Sequence, residues 1–241
     1  TPDAGRLMQA LAATWPPVRW HETAGWRIGE GAGGGQRVSA ARAVVADPDI
    51  AAMEAAQAGL GQPALVQIGP GEEALDAALE ARGYATRDET VLLAAPADAL
   101  WRAPPRVTVF EVARPPLVAQ REVWAADGVS SARLAVMARA PAPCATLMGR
   151  LDDTPAAAAF VTCAGEVAFL HALAVLPAKR RRGLAGHLVA AAAGFALRHG
   201  ARTLATATVS GNAAARALFA GLGMAEAGRY HYRLQPGPEP R

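Results

Sequence analysis

A strand followed by a basic, glycine-containing loop and a helix is the feature that most constrains the fold of this chain. The apolar run Val167–Val175 predicts a buried strand, and four basic residues at 179–182 come directly before Gly183. From Leu184 to His199 apolar residues recur at the spacing of one buried helix face, and Gly200 ends the pattern. Free N–H groups and the dipole at the start of such a helix stabilise an anion. The residues alone therefore predict a pyrophosphate site.

The overall composition narrows the class of partner. The chain has 241 residues, of which 52% are apolar, and a net charge of +3. Its length suits one large domain or two small ones. Its charge is small and dispersed outside 179–182, so we expect no nucleic-acid partner. No run approaches the roughly 20 apolar residues of a membrane span, and the first residues show no signal-peptide pattern. We therefore expect a cytoplasmic protein with no membrane partner.

The two cysteines, Cys144 and Cys163, are too few for a disulfide framework and suit a reducing compartment. Strands predicted at 144–151 and 156–163 flank a turn of Asp152-Asp153-Thr154-Pro155. In a tight hairpin the residue numbers of opposite positions add up to a constant. Cys144 is therefore predicted to lie near Cys163. A bridge between them is geometrically allowed, but two reduced thiols are the expectation.

The remaining elements follow from periodicity and from glycine and proline positions. The pattern predicts helices at 5–14, 49–59, 72–82, 116–125, 131–138, 184–199 and 212–222, and strands at 20–28, 36–45, 64–68, 90–94, 107–112, 144–151, 156–163, 167–175, 203–209 and 228–234. Prolines cluster at 95–106, which indicates a linker. We therefore predict an N-terminal domain at 1–98, the first half, and a second domain at 105–241, the second half.

Glycines at 29, 31 and 34 match the spacing of a dinucleotide-binding fingerprint. That fingerprint requires a helix directly after the glycines, whereas Arg37-Val38-Ser39 is typical of a strand. A loose hairpin turn is therefore the preferred interpretation of this segment.

A weak internal repeat relates the two halves. Residues 75–84 and 215–224 share a helix, a glycine stop and a following strand. One such repeat can arise by chance, but it favours two related halves over one large domain.

Two blocks in the second half resemble the GNAT (Gcn5-related) N-acetyltransferase family. Arg180-x-x-Gly183-x-Ala185 is similar to the family's phosphate-loop signature, and Leu173-Ala-Val175-x-Pro177 is similar to the strand before it. The block Asn212–Met224 resembles the later Asn-x-x-Ala…Leu-Tyr…Gly-Phe block. The resemblance covers about 107–235, while 20–95 looks like a degenerate first copy without the loop. It implies a tandem α/β GNAT (acyl-CoA N-acyltransferase) fold, with mixed, mostly antiparallel sheets flanked by helices.

The resemblance also implies a co-substrate and its binding residues. It implies acetyl-CoA, no metal, and an amine acceptor on a small molecule or peptide. The backbone of 181–186 would hold the pyrophosphate, and the backbone of Leu173 and Val175 would pair with pantetheine beside a splayed strand 203–209. Asn212 would bond the pantetheine region, or serve as a plain helix N-cap, or both. The full set is Leu173, Ala174, Val175, Arg180, Arg181, Arg182, Gly183, Leu184, Ala185, Gly186, Asn212, Ala215 and Phe219.

The catalytic groups are less well defined by the resemblance. The family's acid is a tyrosine at the position of Phe219, which has no proton to give, so Tyr230, Tyr232 or water would take that role. Our candidate base is His171, which alternates in phase with Leu173 and Val175. The alternative is a packed strand histidine.

Other titratable groups are weaker candidates for the site. Glu166, Asp152 and Asp153 are alternative bases, although an exposed turn carboxylate is usually only solvated. His187 either touches phosphate or is merely exposed.

Three functions therefore compete at this stage. The first is acetyl-CoA-dependent N-acetylation of a primary amine by a monomer or homodimer. The second is a CoA-binding sensor that has lost catalysis, which Phe219 suggests. The third, nucleotide binding by the same strand–loop–helix, is disfavoured because the chain lacks a Walker Gly-Lys-Ser/Thr.

Overall fold

The computed structural model describes residues 2–103, 105 and 108–236. Its strands are β1 (Trp20–Thr23), β2 (Trp26–Gly29), β3 (Ala41–Ala43), β4 (Leu65–Ile68), β5 (Ala85–Pro96), β6 (Val109–Val112), β7 (Cys144–Leu151), β8 (Thr154–Ala164), β9 (Val167–Val175), β10 (Thr203–Val209) and β11 (Ala225–Leu234). Its helices are α1 (Ala4–Thr14), α2 (Gln36–Ser39), α3 (Ile50–Gly59), α4 (Glu73–Ala81), α5 (Ala97–Leu100), α6 (Val118–Ala126), α7 (Ser131–Arg139), α8 (Leu184–Arg198) and α9 (Ala213–Gly221).

All of these strands belong to one mixed sheet. Their order across the sheet is β1-β2-β3-β4-β11-β5-β10-β9-β8-β7-β6. Neighbours are antiparallel except for the parallel pairs β3/β4 and β9/β10. Helices cover the faces, and α8 packs against β7, β8 and β9. The predicted α/β class, with a mixed and mostly antiparallel sheet flanked by helices, is confirmed.

The two halves exchange strands at the centre of the sheet. Strand β5, from the first half, lies between β10 and β11 of the second, with Leu93 opposite Thr206. Strand β11 in turn lies between β4 and β5, with Leu234 opposite Leu65. Each half of the sheet is therefore completed by a strand of the other. The division into domains at 1–98 and 105–241 stays a prediction, and any such domains interlock.

The internal repeat has a matching structure in both halves. Gly83 (φ 84°) lies just after the end of α4 and precedes β5, and Gly223 (φ 92°) lies just after the end of α9 and precedes β11. Tyr84 N–H donates to the Leu79 carbonyl at 3.1 Å, and Met224 N–H donates to the Phe219 carbonyl at 3.0 Å. Both ends have the left-handed glycine and the backward hydrogen bond of a Schellman-type cap. The two strands that these caps launch, β5 and β11, pair with each other.

Three expectations about the first half are wrong. Segment 20–28 is a hairpin, because the chain turns at Ala24 and Gly25, which have φ of 44° and 84°. Residues 36–39 form helix α2 rather than a strand. The glycines permit this close return, since a Cβ on Gly29 would lie 2.2 Å from the Val38 carbonyl oxygen. The segment 95–100 is the end of β5 and helix α5 rather than a linker. Residues 104, 106 and 107 lie outside the described residues.

The hairpin of β7 and β8 forms with a tighter turn than predicted. Only Asp152 and Asp153 lie between the strands, with φ of 52° and 56°, as a type I′ turn requires. A register shift near Gly149 then places Cys144 opposite Thr162 rather than Cys163. The two thiols pack in clusters on opposite faces of the sheet, and both are free. The cysteines are therefore close in the hairpin, as expected, but they are offset by one residue of register and do not pair directly.

No helix in the described part of the chain has the length and apolar character that crossing a membrane would require.

Candidate active site

A cleft opens where the parallel strands β9 and β10 separate. They pair only from Val167 opposite Thr203 to Phe169 opposite Ala205, although β9 continues to Val175 and β10 to Val209. Beyond the last pair lies a cavity of about 660 Å³. This separation is the splay that the resemblance implied, and it leaves one edge of each strand free to bind a ligand.

A bulge at Ala172 governs which side chains of β9 face each side of the sheet. Ala172 has a φ of 47°, and the pairing of β8 with β9 shifts register at this point. The indole N–H of Trp124 donates to the Ala172 carbonyl at 2.7 Å and holds the bulge. Leu173 and Val175 consequently pack with the cluster around α8. His171 instead contacts Trp15, so the predicted shared face of His171 with Leu173 and Val175 is wrong.

The basic loop after β9 is tied to neighbouring acids. Arg180 donates to the Val175 carbonyl at 2.9 Å and to Asp127 at 3.0 Å. Lys179 and Arg182 both bind Asp152, at 3.1 and 2.8 Å. These contacts lower the pKa of the Asp152 carboxyl, with the Arg182 hydrogen bond as the largest cause. The ion pairs shape the loop, and Asp152 is committed to them rather than poised as a base.

Arg181 is the exposed basic residue of the loop that has no ion pair within the described chain, and its φ is 62°. Gly183 follows with a φ of 78° and precedes the first turn of α8, where no side chain caps the helix. The first N–H groups of a helix lack intrahelical partners and attract anions. The loop and the start of α8 therefore offer donors and positive charge to a phosphate.

Among the described residues of the first half, the helix that follows the parallel strand β3 begins at a carboxylate cap instead of free donors. After β3, helix α3 begins behind Asp49, whose carboxylate accepts the Ala52 N–H at 3.1 Å. That carboxylate already interacts with the helix dipole and would repel a phosphate. The sequence of 20–95 lacks a phosphate loop, and in the structure the Asp49 carboxylate occupies the helix start where a phosphate would otherwise bind.

Most of the predicted site residues line the one cleft. Those that do are His171, Leu173, Val175, Arg180, Arg181, Gly183, Leu184, Ala185, Gly186, Asn212, Ala215 and Phe219. Four others are not among the lining residues. Ala174 is buried on the opposite face of the sheet, and Arg182 is turned towards Asp152. Tyr230 and Tyr232 are buried in a third cluster with α1.

Residues 101–224, just over half of the chain, match the model of the acetyltransferase (GNAT) family. This chain belongs to the GNAT family. Membership supports acetyl-CoA-dependent acetyl transfer as its general chemistry.

Solved structures share the fold along nearly the whole chain. A GCN5-related N-acetyltransferase from Kribbella flavida superimposes with a TM-score of 0.71 at 20% identity, covering 98% of this chain and 96% of its own. A functionally unknown conserved protein from Staphylococcus epidermidis gives 0.65 at 10% identity, covering 94% and 96%. A tandem GNAT protein from the clavulanic acid biosynthesis pathway gives 0.56 at 18% identity, covering 79% and 69%. No curated protein matches the sequence of this GNAT chain.

His171 of this GNAT is enclosed by aromatic rings. Its imidazole lies 4.8 Å from the Trp15 ring and 5.5 Å from the Phe169 ring, centroid to centroid, and is 4% exposed. Its Nε2 lies 3.1 Å from the Thr14 hydroxyl oxygen, and that hydroxyl donates to the Ala10 carbonyl at 2.8 Å. The hydroxyl therefore accepts from His171, which places the proton on Nε2. The lone pair is left on Nδ1.

The surroundings of His171 keep its imidazole neutral. Burial, aided by repulsion from the nearby Arg37 guanidinium, holds the pKa of His171 well below 6.5. A neutral imidazole at neutral pH has a lone pair available, although its affinity for a proton is reduced.

The two tyrosines lie behind the cleft rather than in it. Tyr230 and Tyr232 are 2% and 3% exposed, and their rings meet edge to face at 5.6 Å. Burial raises the pKa of Tyr232 above its ordinary value. Both phenols lie beside Arg37. Arg37 is itself a lining residue of the cleft, whereas the two tyrosines are not among the lining residues.

Other candidates from the sequence have structural roles. Asn212 Oδ1 caps α9 by accepting the Ala215 N–H at 3.1 Å, and Asn212 also lines the cleft. His187 is half-buried and is not among the lining residues. Glu166 and Asp153 are exposed, and each forms only long ion pairs with arginine. Within the described residues, no group of three or more His, Cys, Asp or Glu side chains is placed to hold a metal ion.

Several lining residues were not singled out in the sequence. Thr206 and Thr208 come from β10, Asp127 lies beside Arg180 of the loop, and Arg37 comes from the first half. Threonine and apolar residues alternate along the second part of β10, which indicates that Thr206 and Thr208 share one face of the strand. Arg37 follows the glycine segment, and its position depends on the unexpected helix α2. Only the tertiary fold brings it to the cleft.

Proposed function

We propose that this protein is an acetyl-CoA-dependent N-acetyltransferase that acetylates a primary amine of a small molecule or peptide. The observation that carries the proposal is the single cleft that joins three features. These are the splayed strands β9 and β10, the basic loop, and the uncapped start of α8. If acetyl-CoA binds in this cleft, its pyrophosphate would lie at the start of α8. Its thioester carbon would lie where β9 and β10 separate.

We propose that the backbone N–H groups of 181–186 hold the pyrophosphate, with Arg181 as the free cation nearest to it. The exposed backbone edge of Leu173 and Val175 pairs with the pantetheine arm, as an added strand does. Asn212 uses Oδ1 for its helix cap, which leaves the Nδ2 amide hydrogens as donors to pantetheine. Ala215 and Phe219 line the same cleft and supply apolar contact.

The reaction joins the neutral amine nitrogen to the thioester carbonyl carbon, the C–S bond then breaks to release CoA thiolate, and the surplus proton on the nitrogen passes through water to that thiolate. The acceptor ammonium must first lose a proton, and we propose that His171 Nδ1 receives it directly or through water. The support is the position of His171 on the cleft and its Nε2–H bond to Thr14, which fixes the tautomer. General bases of this kind contribute about 10²–10⁴-fold to the rate.

Water is the preferred proton donor to the departing thiolate. Phe219 has no proton to give, and the phenols of Tyr230 and Tyr232 are buried behind Arg37. A thiolate is a good leaving group, so a weak acid suffices. Of the acids considered, water therefore takes the role in place of Tyr230 and Tyr232.

We further propose that the first half, 1–98, is a degenerate GNAT copy that shapes the acceptor site of a catalytic second half, 105–241. Arg37 supports this role because it is a first-half residue that lines the cleft. A cytoplasmic location also stays a proposal, supported by two free thiols. Monomer and homodimer remain the two expected assemblies.

The decisive experiment measures binding and transfer separately on the full chain. Calorimetry should show acetyl-CoA binding more tightly than ATP or NAD, and radiolabelled acetyl-CoA should label amines from a library. Tight binding without transfer to any amine would favour the alternative, a CoA-binding sensor, which Phe219 supports. Preference for ATP or NAD over CoA would overturn both.

A further inference from the structure

Five polar side chains form a cluster behind the cleft, on the side of the first half. This cluster, called here the polar floor, consists of Arg37, Arg42, Gln67, Tyr230 and Tyr232. Arg37 lies beside both phenols, and Arg42 lies beside Arg37 and the same phenols. Gln67 sits directly opposite Tyr232 where β4 pairs with β11. The floor is thus assembled across the strand exchange between the halves.

The polar floor has unusually many unmet hydrogen-bonding atoms. The buried Nε atoms of Arg37 and Arg42, both amide atoms of Gln67 and the hydroxyl of Tyr230 have no partner among the described residues. Gln67 and Tyr230 are each only 2% exposed. Buried polar atoms are nearly always paired, and leaving one unpaired is costly. Five such atoms in one cluster indicate a place where ordered water or another polar molecule binds.

The floor also carries uncompensated positive charge. Neither Arg37 nor Arg42 has a carboxylate within ion-pair distance in the described chain. Arg27 faces Arg42 across β2 and β3, and the two guanidiniums lie 4.6 and 5.2 Å from the Trp20 ring centre. Glu72 is the acid that interacts with Arg42, but its carboxylate accepts the Gly69 N–H at 2.6 Å and forms no ion pair.

More positive charge approaches from the second half. Arg133 of α7 is close enough to Arg37 to be repelled by it, which together with burial lowers the pKa of Arg133. Burial likewise lowers the pKa of Arg42. A partly buried cation without a counter-ion is unfavourable, so the floor is matched to an anion.

Arg37 connects this floor to the reaction site. It lines the cleft together with His171 and Thr206, and its positive charge contributes to the lowered pKa of His171. An anionic group bound at Arg37 would therefore belong to a molecule that also reaches the splay of β9 and β10. The acceptor amine is the molecule that must occupy this space.

We propose that the acceptor amine carries a carboxylate, which Arg37 binds through its guanidinium with the polar floor behind it. This inference rests on the proposed acetyltransferase function and specifies its substrate class as amino acids or similar acidic amines. The planar fork of arginine matches a carboxylate with two parallel hydrogen bonds. Arg180 and Arg181 also line the cleft, but they belong to the basic loop after β9, so Arg37 is the lining arginine that comes from the first half.

The test pairs amines that differ only in the carboxylate. Initial rates of transfer from acetyl-CoA are measured for L-lysine and cadaverine, L-leucine and isoamylamine, and L-phenylalanine and 2-phenylethylamine, with taurine and aminomethylphosphonate as other acids. The variants are Arg37→Gln, Arg37→Lys, which keeps the charge but not the fork, and Arg121→Gln, an exposed control on α6. Melting curves and CoA affinity establish that each variant is folded.

The expected result is transfer to at least one carboxylate amine at a kcat/KM about 10- to 100-fold above its partner, with most of that advantage lost in Arg37→Gln. Arg37→Lys should recover part of it, and Arg121→Gln should match the wild type. Equal use of both members of every pair would overturn the inference while keeping the acetyltransferase proposal. Preference for taurine or the phosphonate over every carboxylate would overturn the carboxylate assignment.

A binding measurement separates this inference from the reaction. Calorimetry of the same amines on the CoA-loaded protein requires no turnover. Arg37-dependent binding of a carboxylate amine without transfer would uphold the inference and count against the acetyltransferase proposal. If no carboxylate amine bound more tightly to the wild type than to Arg37→Gln, the inference would fail whatever the transfer assay showed.

Discussion

The hydroxyl of Thr14 accepts a hydrogen bond from Nε2 of His171 at 3.1 Å, although the two residues are 157 positions apart. Thr14 is the last residue of α1, in the first half, and His171 lies on β9, in the second. A first-half helix thus sets the tautomer of the proposed base. This contact gives the first half a direct role in the proposed chemistry, in addition to the packing of α1 on β8 and β9.

His171→Gln should lower kcat by about 10²–10³-fold with CoA affinity unchanged, because the glutamine keeps a donor for Thr14 but cannot take a proton. The measurement is steady-state kinetics on an accepted amine together with calorimetry of CoA. His199→Gln, a change at an exposed histidine at the end of α8, is the control and should behave as the wild type. An unchanged kcat in His171→Gln would remove the base assignment.

His171 should also make the fold sensitive to acid. Its pKa in the folded protein is well below 6.5, the ordinary value that the unfolded chain retains. Below pH 6.5 the unfolded chain therefore binds a proton that the folded chain refuses. Stability should fall by about 1.4 kcal/mol per pH unit from there down to the folded pKa. Urea unfolding at pH 8 and pH 5.5 should show a smaller loss for His171→Gln than for the wild type, and an equal loss would contradict the buried neutral imidazole.

Gly183→Ala should weaken CoA binding about tenfold. The residue has a φ of 78° and open space around its Cβ position, so the cost is backbone strain of about 1–2 kcal/mol at the phosphate loop. Gly165→Ala is a matched control, since Gly165 has a φ of 58° and equally open space but lies in the β8–β9 turn, away from the cleft. Both variants should lose similar stability in urea. Only Gly183→Ala should lose CoA affinity by calorimetry, and equal affinity in the two would argue against the loop as the pyrophosphate site.

The exchange of β5 and β11 predicts that neither half folds alone. A fragment of 105–241 lacks the strand between β10 and β11, and a fragment of 1–98 lacks the strand between β4 and β5. Circular dichroism and proton NMR should show each fragment without cooperative unfolding. Co-expression of the two fragments should yield a copurifying complex that melts cooperatively. A well-dispersed spectrum from isolated 105–241 would contradict this expectation.

Local sequence signals predicted the segment from β9 to β10 well. The limits of β9, β10 and α8 agree with the predictions to within a residue, and the helix cap by Asn212 forms as expected. These features depend on residues close in sequence, such as an apolar run, a glycine of positive φ and an N-cap side chain. The same holds for Asp49 at the start of α3 and for the aspartate turn of the β7–β8 hairpin.

Two errors in the second half have a shared physical cause, which is strand register. One bulge at Ala172 reverses the facing of Leu173 relative to His171, and one shift near Gly149 separates the faces of Cys144 and Cys163. A strand alternates with period two, so one additional residue moves every later side chain to the other face. The bulge at Ala172 is held by Trp124 from α6, a partner that no local pattern reveals.

The position of Arg37 on the cleft could not be predicted from the sequence, because it too depends on tertiary contacts. Its neighbours in sequence suggest a strand, and its site role appears only when α2 folds back on β2 and places it beside residues of the second half. The GNAT resemblance gave no residue for this position because it matched motifs in the second half alone. Sequence patterns therefore located the second-half lining of the cleft more fully than its first-half lining.

The strand exchange has a consequence for how the chain reaches its native state. Strands β4 and β5 both pair with β11. The centre of the sheet is therefore complete only after residues 225–234 have been synthesised. Loops this long are slow to close, and topologies dominated by distant pairings fold slowly. Until then β4 and β5 present unpaired edges to other chains. During synthesis this protein therefore passes through a period in which these open strand edges favour aggregation.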